Sequence, residues 1–422
     1  MMDGLAEARL GHQLDVGANR PFAGNWAEWR WDGRTLTVRN DRYRTYPLFV
    51  YRADHAIAVS PSVDRLLGLG VDRTLDLDAV SVVLTLGHFP GEDTAFTAIR
   101  RLPAAAELRW DAAGCTVRSD PPRRPVESGT REDAVATAAE LVRTAVGRTI
   151  VRTGPYRMAL SGGRDSRHIL LELVHAGHRP SMCVTADYHP HLWGGDVPYA
   201  AALCEQLELG HRALEVGPYV ANEWHKDRLT GYCTDEHAWY MAVAGALDGH
   251  TSHTYDGINS STAFARSFYT PKLRRLQQEG RFEDLARQLG RKRKGQPRYL
   301  DLISPAMRDE LGAERAVARI VRELERHVDE GDAFLAFRFW GRGMGELNLT
   351  STLMLPGLPA AYTPLIDPDV LEFGWTVPTE HVDEHFRDDI IAHHFPAYAT
   401  IPYRPKTKPQ PTRAYLRGVN RE

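Results

Sequence analysis

Residues 156–176 read YRMALSGGRDSRHILLELVHA, and this stretch decides the fold of the chain. A short apolar strand leads into a Ser-Gly-Gly-Arg-Asp-Ser turn, and Ile169, Leu170 and Leu173 then share one face of a helix. The order of strand, glycine turn and helix is typical of α/β proteins that hold an anion at the N-terminus of a helix. The stretch therefore predicts an α/β fold with an anion site at this turn.

The turn itself predicts a phosphate site. Glycines allow a tight bend, and the helix N-terminus offers free N–H groups and a positive dipole end. The residues expected to surround the phosphate are Ser161, Gly162, Gly163 and Ser166. A carboxylate repels phosphate, so Asp165 predicts a Mg²⁺ ion that bridges the two. A glycine turn before a helix capped by Ser161 or Asp165 is the alternative.

The following residues repeat the pattern. A second apolar strand is predicted at residues 181–186, a helix at 196–207 and a third strand at 211–216. Such repeats indicate a parallel sheet with helical crossovers, in which ligands lie at the carboxyl ends of the strands. Asp187 ends the second strand and is predicted to reach an adenosine, with a solvated acid in a turn as the alternative.

Several motifs resemble those of one known family. SGGRDS is similar to the SGGxDS loop of ATP pyrophosphatases, which cleave ATP to AMP and pyrophosphate. Together with Asp196-Val-Pro-Tyr199 and Leu209-Gly210-His211, it resembles the synthetase domain of asparagine synthetases. Relatives of those enzymes include β-lactam synthetases and lasso-peptide cyclases. The resemblance continues in residues 39–48, 363–367 and 404–408, and covers most of the chain between residues 22 and 410.

The resemblance implies a two-part α/β architecture. Residues 131–422 are expected to form a synthetase domain, with an ATP pyrophosphatase-type parallel sheet, helices on both faces and a helical C-terminal part. Residues 1–120 are expected to form a shortened, β-rich domain that resembles the Ntn glutaminase domain. A proline-rich linker at residues 121–130 separates the two.

The glutaminase chemistry of the family is not expected here. Glutamine-hydrolysing members expose a cysteine directly after the initiator methionine, whereas this chain begins Met1-Met2-Asp3 and has Cys115 as its first thiol. The N-terminal part is therefore expected to cover the synthetase domain structurally.

A second departure concerns the metal. The family has an acidic segment, Gly-acid-Gly-x-Asp-Glu, whose Asp completes a Mg²⁺ site. The matching segment here keeps Asp256 but has Asn259 at the position of that Asp. Asn259 offers an uncharged oxygen to Mg²⁺, and Asp235 or Glu236 could compensate for the lost charge. Asp256 is predicted to be a metal ligand or the base that deprotonates an amine, and an Asp that caps its own turn is the alternative.

Two lysines near the C-terminus are the remaining predicted catalytic residues. In the family, a lysine of this segment contacts the α-phosphate and stabilises negative charge in the transition state. Lys406 and Lys408 are the candidates, and a solvated basic tail is the alternative.

Composition excludes several other classes of protein. The net charge of −3 gives no electrostatic basis for binding nucleic acid, and no apolar run is long enough to cross a membrane. Four scattered cysteines lack metal spacing and suggest a reducing, cytoplasmic compartment. The sequence leaves open whether the chain forms a homodimer.

The sequence thus predicts a ligase that uses ATP and Mg²⁺ to adenylate a small-molecule or peptide carboxylate, so that an amine can attack it to form an amide or lactam. Specialised metabolite biosynthesis, including that of antibiotics, is the expected setting. The alternatives are an ammonia-dependent asparagine-type synthetase, a lasso-peptide cyclase and a non-catalytic relative that binds nucleotide.

Overall fold

The structure, a computed structural model, describes most of the chain. The described residues are 6–14, 23–122, 129–152, 154–187, 195–217, 219–258, 261–266, 268–291, 303–355 and 360–404. The predicted site residues Asn259, Lys406 and Lys408 lie outside them.

The N-terminal part contains two antiparallel sheets. Its strands are β1 (Ala6–Gln13), β2 (Gly24–Trp31), β3 (Leu36–Asn40), β4 (Phe49–Ala53), β5 (Ala56–Ser60), β6 (Ile99–Arg101), β7 (Ala106–Asp111) and β8 (Gly114–Ser119). One sheet has the order β1-β2-β3-β7-β8 and the other the order β5-β4-β6. Two helices, α1 (Val63–Gly68) and α2 (Leu77–Leu86), follow β5. The described residues between 6 and 119 thus form eight strands and two helices.

The turn between β3 and β4 is organised by one carboxylate. Asp41 is fully buried and accepts hydrogen bonds from the backbone N–H groups of Tyr43 (3.0 Å), Thr45 (2.8 Å) and Tyr46 (2.8 Å). The Thr45 hydroxyl at 2.7 Å and the Trp26 N–H at 3.3 Å also donate to it. Burial raises the pKa of Asp41 to about 6, although all these donors favour its ionised form. The carboxyl group therefore acts as the internal acceptor around which the turn folds.

A parallel sheet follows, as the sequence predicted. Strands β9 (Arg157–Ala159), β10 (Met182–Asp187) and β11 (His211–Glu215) have the order β11-β10-β9. The neighbouring helices are α3 (Arg131–Arg148), α4 (Asp165–His175) and α5 (Val197–Gln206). The apolar face of α4 is buried, because Ile169, Leu170 and Leu173 are each 0% exposed. Strands β12 (Thr254–Tyr255) and β13 (Ala361–Tyr362) form a second parallel pair.

The rest of the described chain is mainly helical. Its helices are α6 (Tyr219–Leu229), α7 (Tyr240–Leu247), α8 (Ser261–Phe264), α9 (Pro271–Gln278), α10 (Phe282–Leu289), α11 (Pro305–Glu310), α12 (Ala313–Arg326), α13 (Ala333–Arg338), α14 (Asn348–Leu353), α15 (Pro368–Thr376) and α16 (Phe386–His394). Two residues, Leu311 and Gly312, separate α11 from α12. Between α13 and α14 the chain forms a π-helix, Phe339–Leu347. None of the helices in the described ranges is long and apolar enough to cross a membrane.

The antiparallel sheets pack on the helical part through polar contacts as well as apolar ones. Glu372 of α15 accepts hydrogen bonds from the Arg42 guanidinium (2.8 Å) and the Tyr43 hydroxyl (2.9 Å). Asn348 donates to the Thr45 carbonyl at 2.6 Å. The Asp41 turn is therefore part of the contact between the two regions. The predicted boundary at residues 121–130 stays a prediction, with β8 ending at Ser119 and α3 beginning at Arg131.

Candidate functional site

The SGGRDS turn connects β9 to α4, and its side chains bond to one another. The Ser161 N–H donates to the Ser166 hydroxyl at 3.0 Å, and the two hydroxyl oxygens are also 3.0 Å apart. The Gly163 N–H donates to the Ser161 hydroxyl at 3.2 Å. Two serine hydroxyls and nearby N–H groups are thus gathered at the N-terminus of α4, which is the arrangement that favours an anion.

Gly162 fits its position for a reason that differs from the predicted one. It does not adopt a positive φ, so left-handed backbone freedom does not explain it. Instead, a Cβ at this position would lie 3.1 Å from each of Asp196, Tyr199 and Arg404. The Gly162 N–H also donates to the Asp196 carboxylate at 2.8 Å. The residue is small because α5 and the C-terminal segment approach the turn closely.

Gly257 brings the segment after β12 against the same helix end. A Cβ on Gly257 would lie 2.6 Å from the backbone nitrogen of Ser166, a distance that real Cβ atoms do not adopt. The preceding residue, Asp256, is thereby held beside the turn. The sequence predicted both segments, and the structure brings them together.

The last described residues are fastened to the turn from the other side. The Arg167 guanidinium donates to the carbonyls of Ile401 (2.7 Å) and Pro402 (2.9 Å). The Tyr403 ring lies 4.0 Å from the Arg167 guanidinium carbon, and the Arg404 N–H donates to the Gly162 carbonyl at 2.8 Å. The Arg404 side chain also pairs with Asp196 at 3.1 Å.

These elements surround a cavity of about 370 Å³. Five of the predicted site residues line it, namely Ser161, Gly163, Asp165, Ser166 and Asp256. The lining also contains Glu236, His237, Trp239, Tyr240 and Arg342, and Arg404 lies near the turn. Asp187 ends β10 as an exposed residue outside the lining, although the preceding Ala186 belongs to it. A contact of Asp187 with adenosine stays a prediction.

Asp256 is a buried carboxyl group that faces this cavity. Only 7% of the residue is exposed, and burial raises its pKa. The Tyr240 hydroxyl donates to it at 2.5 Å and the Ile258 N–H at 2.8 Å, and both bonds favour the ionised form. Burial also raises the pKa of Tyr240 well above its usual range, so the phenol keeps its proton. The pair is a buried carboxyl group with a fixed hydrogen-bond donor.

An acidic cluster includes one residue of the cavity lining, Glu236. Ligand atoms of Asp235, Glu236 and Glu346 lie within 4.8 Å of one another, and no other acidic or histidine group of this kind occurs among the described residues. Arg342 donates to Glu236 at 2.8 Å and to Glu346 at 2.9 Å. Both Arg342 and Glu346 belong to the π-helix, one turn apart. Widened helical turns of this kind are frequent at functional sites.

Two carboxyl groups of this cluster, Glu236 and Glu346, have pKa values that are shifted in opposite directions. Burial raises the pKa of Glu346 well above its usual range. Burial by itself opposes ionisation of Glu236 too, but the Arg342 guanidinium and the nearby His237 and Lys226 together outweigh it and lower the pKa. Burial lowers the pKa of His237 to about 4, so this ring is neutral at pH 7. The cluster therefore combines three carboxyl groups with one guanidinium, and of these Glu236 and Arg342 line the cavity.

The surroundings of Asp165 do not fit the expected magnesium ion. The Arg387 guanidinium donates to both of its carboxylate oxygens, at 2.8 and 3.1 Å. Mg²⁺ needs several oxygen ligands at about 2.0–2.1 Å. Within the described ranges, Asp165 belongs to no group of three metal-ligating side chains. The oxygens that a metal would use are bound to a cation of the protein.

Sequence reasoning missed several site residues, all of them distant along the chain. They are Arg342, Glu346, Arg387, Asp388 and Arg404. One signal was available in the charge of Arg164, because a guanidinium that becomes partly buried beside the turn needs a counter-charge. The structure pairs Arg164 with Asp388.

Comparisons with known proteins give structural likeness at low identity. No protein-family model matches the chain, and no curated protein does. PRPP amidotransferase from B. subtilis, complexed with ADP and GMP, is 10% identical with a TM-score of 0.17, and the match covers 57% of this chain and 44% of that one. NMN synthetase from Francisella tularensis is 12% identical with a TM-score of 0.23, over 48% of this chain and 96% of that one.

A third match is glutamine-dependent NAD⁺ synthetase from Acinetobacter baumannii in complex with ADP. It is 12% identical with a TM-score of 0.22, and the match covers 76% of this chain and 79% of that one. This chain spans less than half the length of the B. subtilis amidotransferase. At these identities and TM-scores, a function has to be argued from the side chains of the site.

Proposed function

We propose that the chain is an ATP-dependent, AMP-forming ligase that joins a carboxylate to an organic amine. One observation carries the proposal: a single cavity contains the Ser161–Ser166 turn at one end and a buried base, Asp256, beside it. In the proposed reaction, a carboxylate oxygen of the substrate attacks the α-phosphorus of ATP and pyrophosphate leaves. The amine nitrogen then attacks the acyl adenylate, and AMP leaves.

The turn supports the first half of this reaction. The hydroxyls of Ser161 and Ser166 and the N–H groups at the start of α4 face the phosphates of ATP and the departing pyrophosphate. These groups are fixed before the ligand binds, so they stabilise developing negative charge without rearranging. Arg167 donates hydrogen bonds to the carbonyls of Ile401 and Pro402, and the Arg404 N–H donates to the turn. These bonds anchor the segment that leads to Lys406 and Lys408. In the proposal, one of these lysines binds the α-phosphate.

Asp256 supports the second half. An attacking amine must lose a proton, and a carboxylate with a raised pKa accepts it more readily than an ordinary one. The Tyr240 hydroxyl keeps the carboxylate oriented and partly offsets the effect of burial. In the proposal, Asp256 takes the proton from the amine as the new C–N bond forms.

The carboxylate of Glu236 supports an amine as the second substrate. Glu236 lines the cavity, its pKa is lowered, and Arg342 holds it in place, so this side of the cavity attracts a protonated amine. Trp239 and Val243 add apolar surface to the same cavity. The combination suits an organic amine better than free ammonia, because ammonia has no apolar part to bind.

The test is ATP–pyrophosphate exchange with a panel of carboxylates, followed by AMP release on addition of amines. Exchange that requires a carboxylate, and AMP release that also requires an amine, would support the ligase. Ser166→Ala should reduce exchange. Ser181→Ala should not, because Ser181 precedes β10 at the end of the parallel sheet that lies away from the turn. Release of ADP instead of AMP, or equal effects of the two substitutions, would refute the proposal.

A further inference from the structure

The turn and helix α16 are joined by two crossed ion pairs. Arg164 and Asp165 are consecutive in the turn, and Arg387 and Asp388 are consecutive at the start of α16. Arg164 pairs with Asp388, and one of its two hydrogen bonds measures 2.7 Å. Asp165 receives two hydrogen bonds from Arg387, at 2.8 and 3.1 Å. The four charges cancel within the group.

This pairing solves an electrostatic problem of the turn. Asp165 lines the same cavity as the turn hydroxyls, and an uncompensated carboxylate there would repel a phosphate chain. A cation must therefore accompany the carboxylate whenever an anion binds. The Arg387 guanidinium already occupies that position, and its side chain is only 23% exposed. A second cation on the same oxygens would be repelled by the first.

We propose that Arg387 replaces a protein-bound metal ion at the phosphate turn. By neutralising Asp165, it allows the turn to bind the phosphates of ATP without a metal ligated by that carboxylate. The inference rests on the proposed function and adds to it the source of positive charge at Asp165. The sequence agrees, because the position at which a second metal-binding Asp was expected is Asn259.

The experiment compares the dissociation constant of ATP, by isothermal titration calorimetry, in EDTA and in Mg²⁺. Wild-type protein should bind ATP in EDTA, and Arg387→Met should weaken that binding by about tenfold, the effect of one uncompensated like charge near the surface. Mg²⁺ should restore binding to Arg387→Met, because the released carboxylate of Asp165 can then act as a ligand. Asp165→Asn combined with Arg387→Met should bind ATP in EDTA again, because the repelling charge is gone.

Two further variants separate charge from structure. Arg387→Lys keeps the positive charge and should bind ATP in EDTA much as wild type does. Arg131→Gln removes a different arginine pair of α16, that with Asp389 at 2.6 Å, and should leave ATP binding unchanged in both conditions. A direct measurement uses Mn²⁺ alone, followed by electron paramagnetic resonance. Wild type should not bind it at the turn, whereas Arg387→Met should.

Each contrary outcome has a distinct meaning. If wild type binds ATP only with Mg²⁺, or binds Mn²⁺ through Asp165 before any substitution, the replacement of the metal by Arg387 is wrong while the ligase proposal stands. If Arg387→Met and Arg131→Gln bind ATP alike, the proposal that Arg387 takes the place of a metal ion is also wrong. If wild type binds ATP under neither condition, the proposed function fails together with the inference.

Discussion

Asp41 and Asp256 are both buried aspartates in turns that follow a strand, yet their surroundings differ. Asp41, in the antiparallel region, is fully enclosed and accepts hydrogen bonds from three backbone N–H groups of its own turn, among other donors. Asp256, beside the parallel sheet, has fewer protein donors and faces a cavity. Burial raises the pKa of both. An enclosed carboxyl group holds a fold together, whereas one that opens onto a cavity is available for chemistry.

The largest effect should come from the enclosed residue. Asp41→Ala removes the acceptor of several buried N–H and O–H donors, so the free energy of unfolding should fall by roughly 3–5 kcal/mol. Denaturant unfolding measures this change. Asp32→Ala is the matched control, because Asp32 also accepts backbone hydrogen bonds in a turn but is exposed. If the two variants were equally stable, Asp41 would not have the structural role inferred for it.

The proposed role of Asp256 as proton acceptor is tested by Asp256→Asn. The amide preserves the shape of the side chain but cannot accept a proton from an amine, so amide formation should fall by about 10²–10⁴-fold. ATP–pyrophosphate exchange should persist, because it precedes the attack of the amine. Asp248→Asn, at the C-terminal end of α7, is the control. Parallel loss of exchange and amide formation would show that Asp256 supports the site in another way.

A smaller and more specific effect is expected from Tyr240→Phe. The Tyr240 hydroxyl lowers the pKa of Asp256 against the larger effect of burial, so its removal should raise that pKa further. A base must be ionised to act, and the acidic limb of the rate profile should therefore move to higher pH. The measurement is the rate of amide formation from pH 4 to pH 9. An unchanged limb with a lower maximum would mean that Asp256 does not control the profile.

The smallest effect concerns the ion pairs themselves. A double-mutant cycle on Arg164 and Asp388, using Arg164→Leu and Asp388→Asn, should give a coupling energy of about 1 kcal/mol, as befits a partly buried pair. The same cycle on Arg9 and Glu28, which pair across β1 and β2 in the antiparallel region, should give less, because Arg9 is exposed. Equal couplings would mean that the pairs at the turn are ordinary surface pairs.

The sequence predicted what depends on nearby residues. Hydrophobic period and glycine position were sufficient for β9, the turn and α4, and the strand–helix repeat was sufficient for the parallel sheet. Asp256 was found because it lies in a recognisable short segment. The reason for Gly162 was missed, because the neighbours that exclude a Cβ come from α5 and from Arg404, far along the chain.

The partners of the turn were beyond the sequence for the same reason. Arg387 is 222 residues from Asp165, and only folding shows that the two meet. Residues 334–348 have an apolar pattern that predicts a helix, but not the wider turn on which Arg342 lines the cavity and bonds to the buried Glu346. The predicted roles of Asn259, Lys406 and Lys408 stay predictions, because these residues lie outside the described part of the chain.

The close approach of Gly257 to the nitrogen of Ser166 has a consequence for how this site can change in evolution. Any side chain at 257 would push Asp256 and the helix end apart, so the distance between Asp256 and the serine hydroxyls of the turn is set by a missing methyl group. In a saturation mutagenesis screen, position 257 should accept no replacement for glycine, whereas the walls that choose the substrate should vary. Such a site can acquire new substrates while the spacing that its chemistry needs stays fixed.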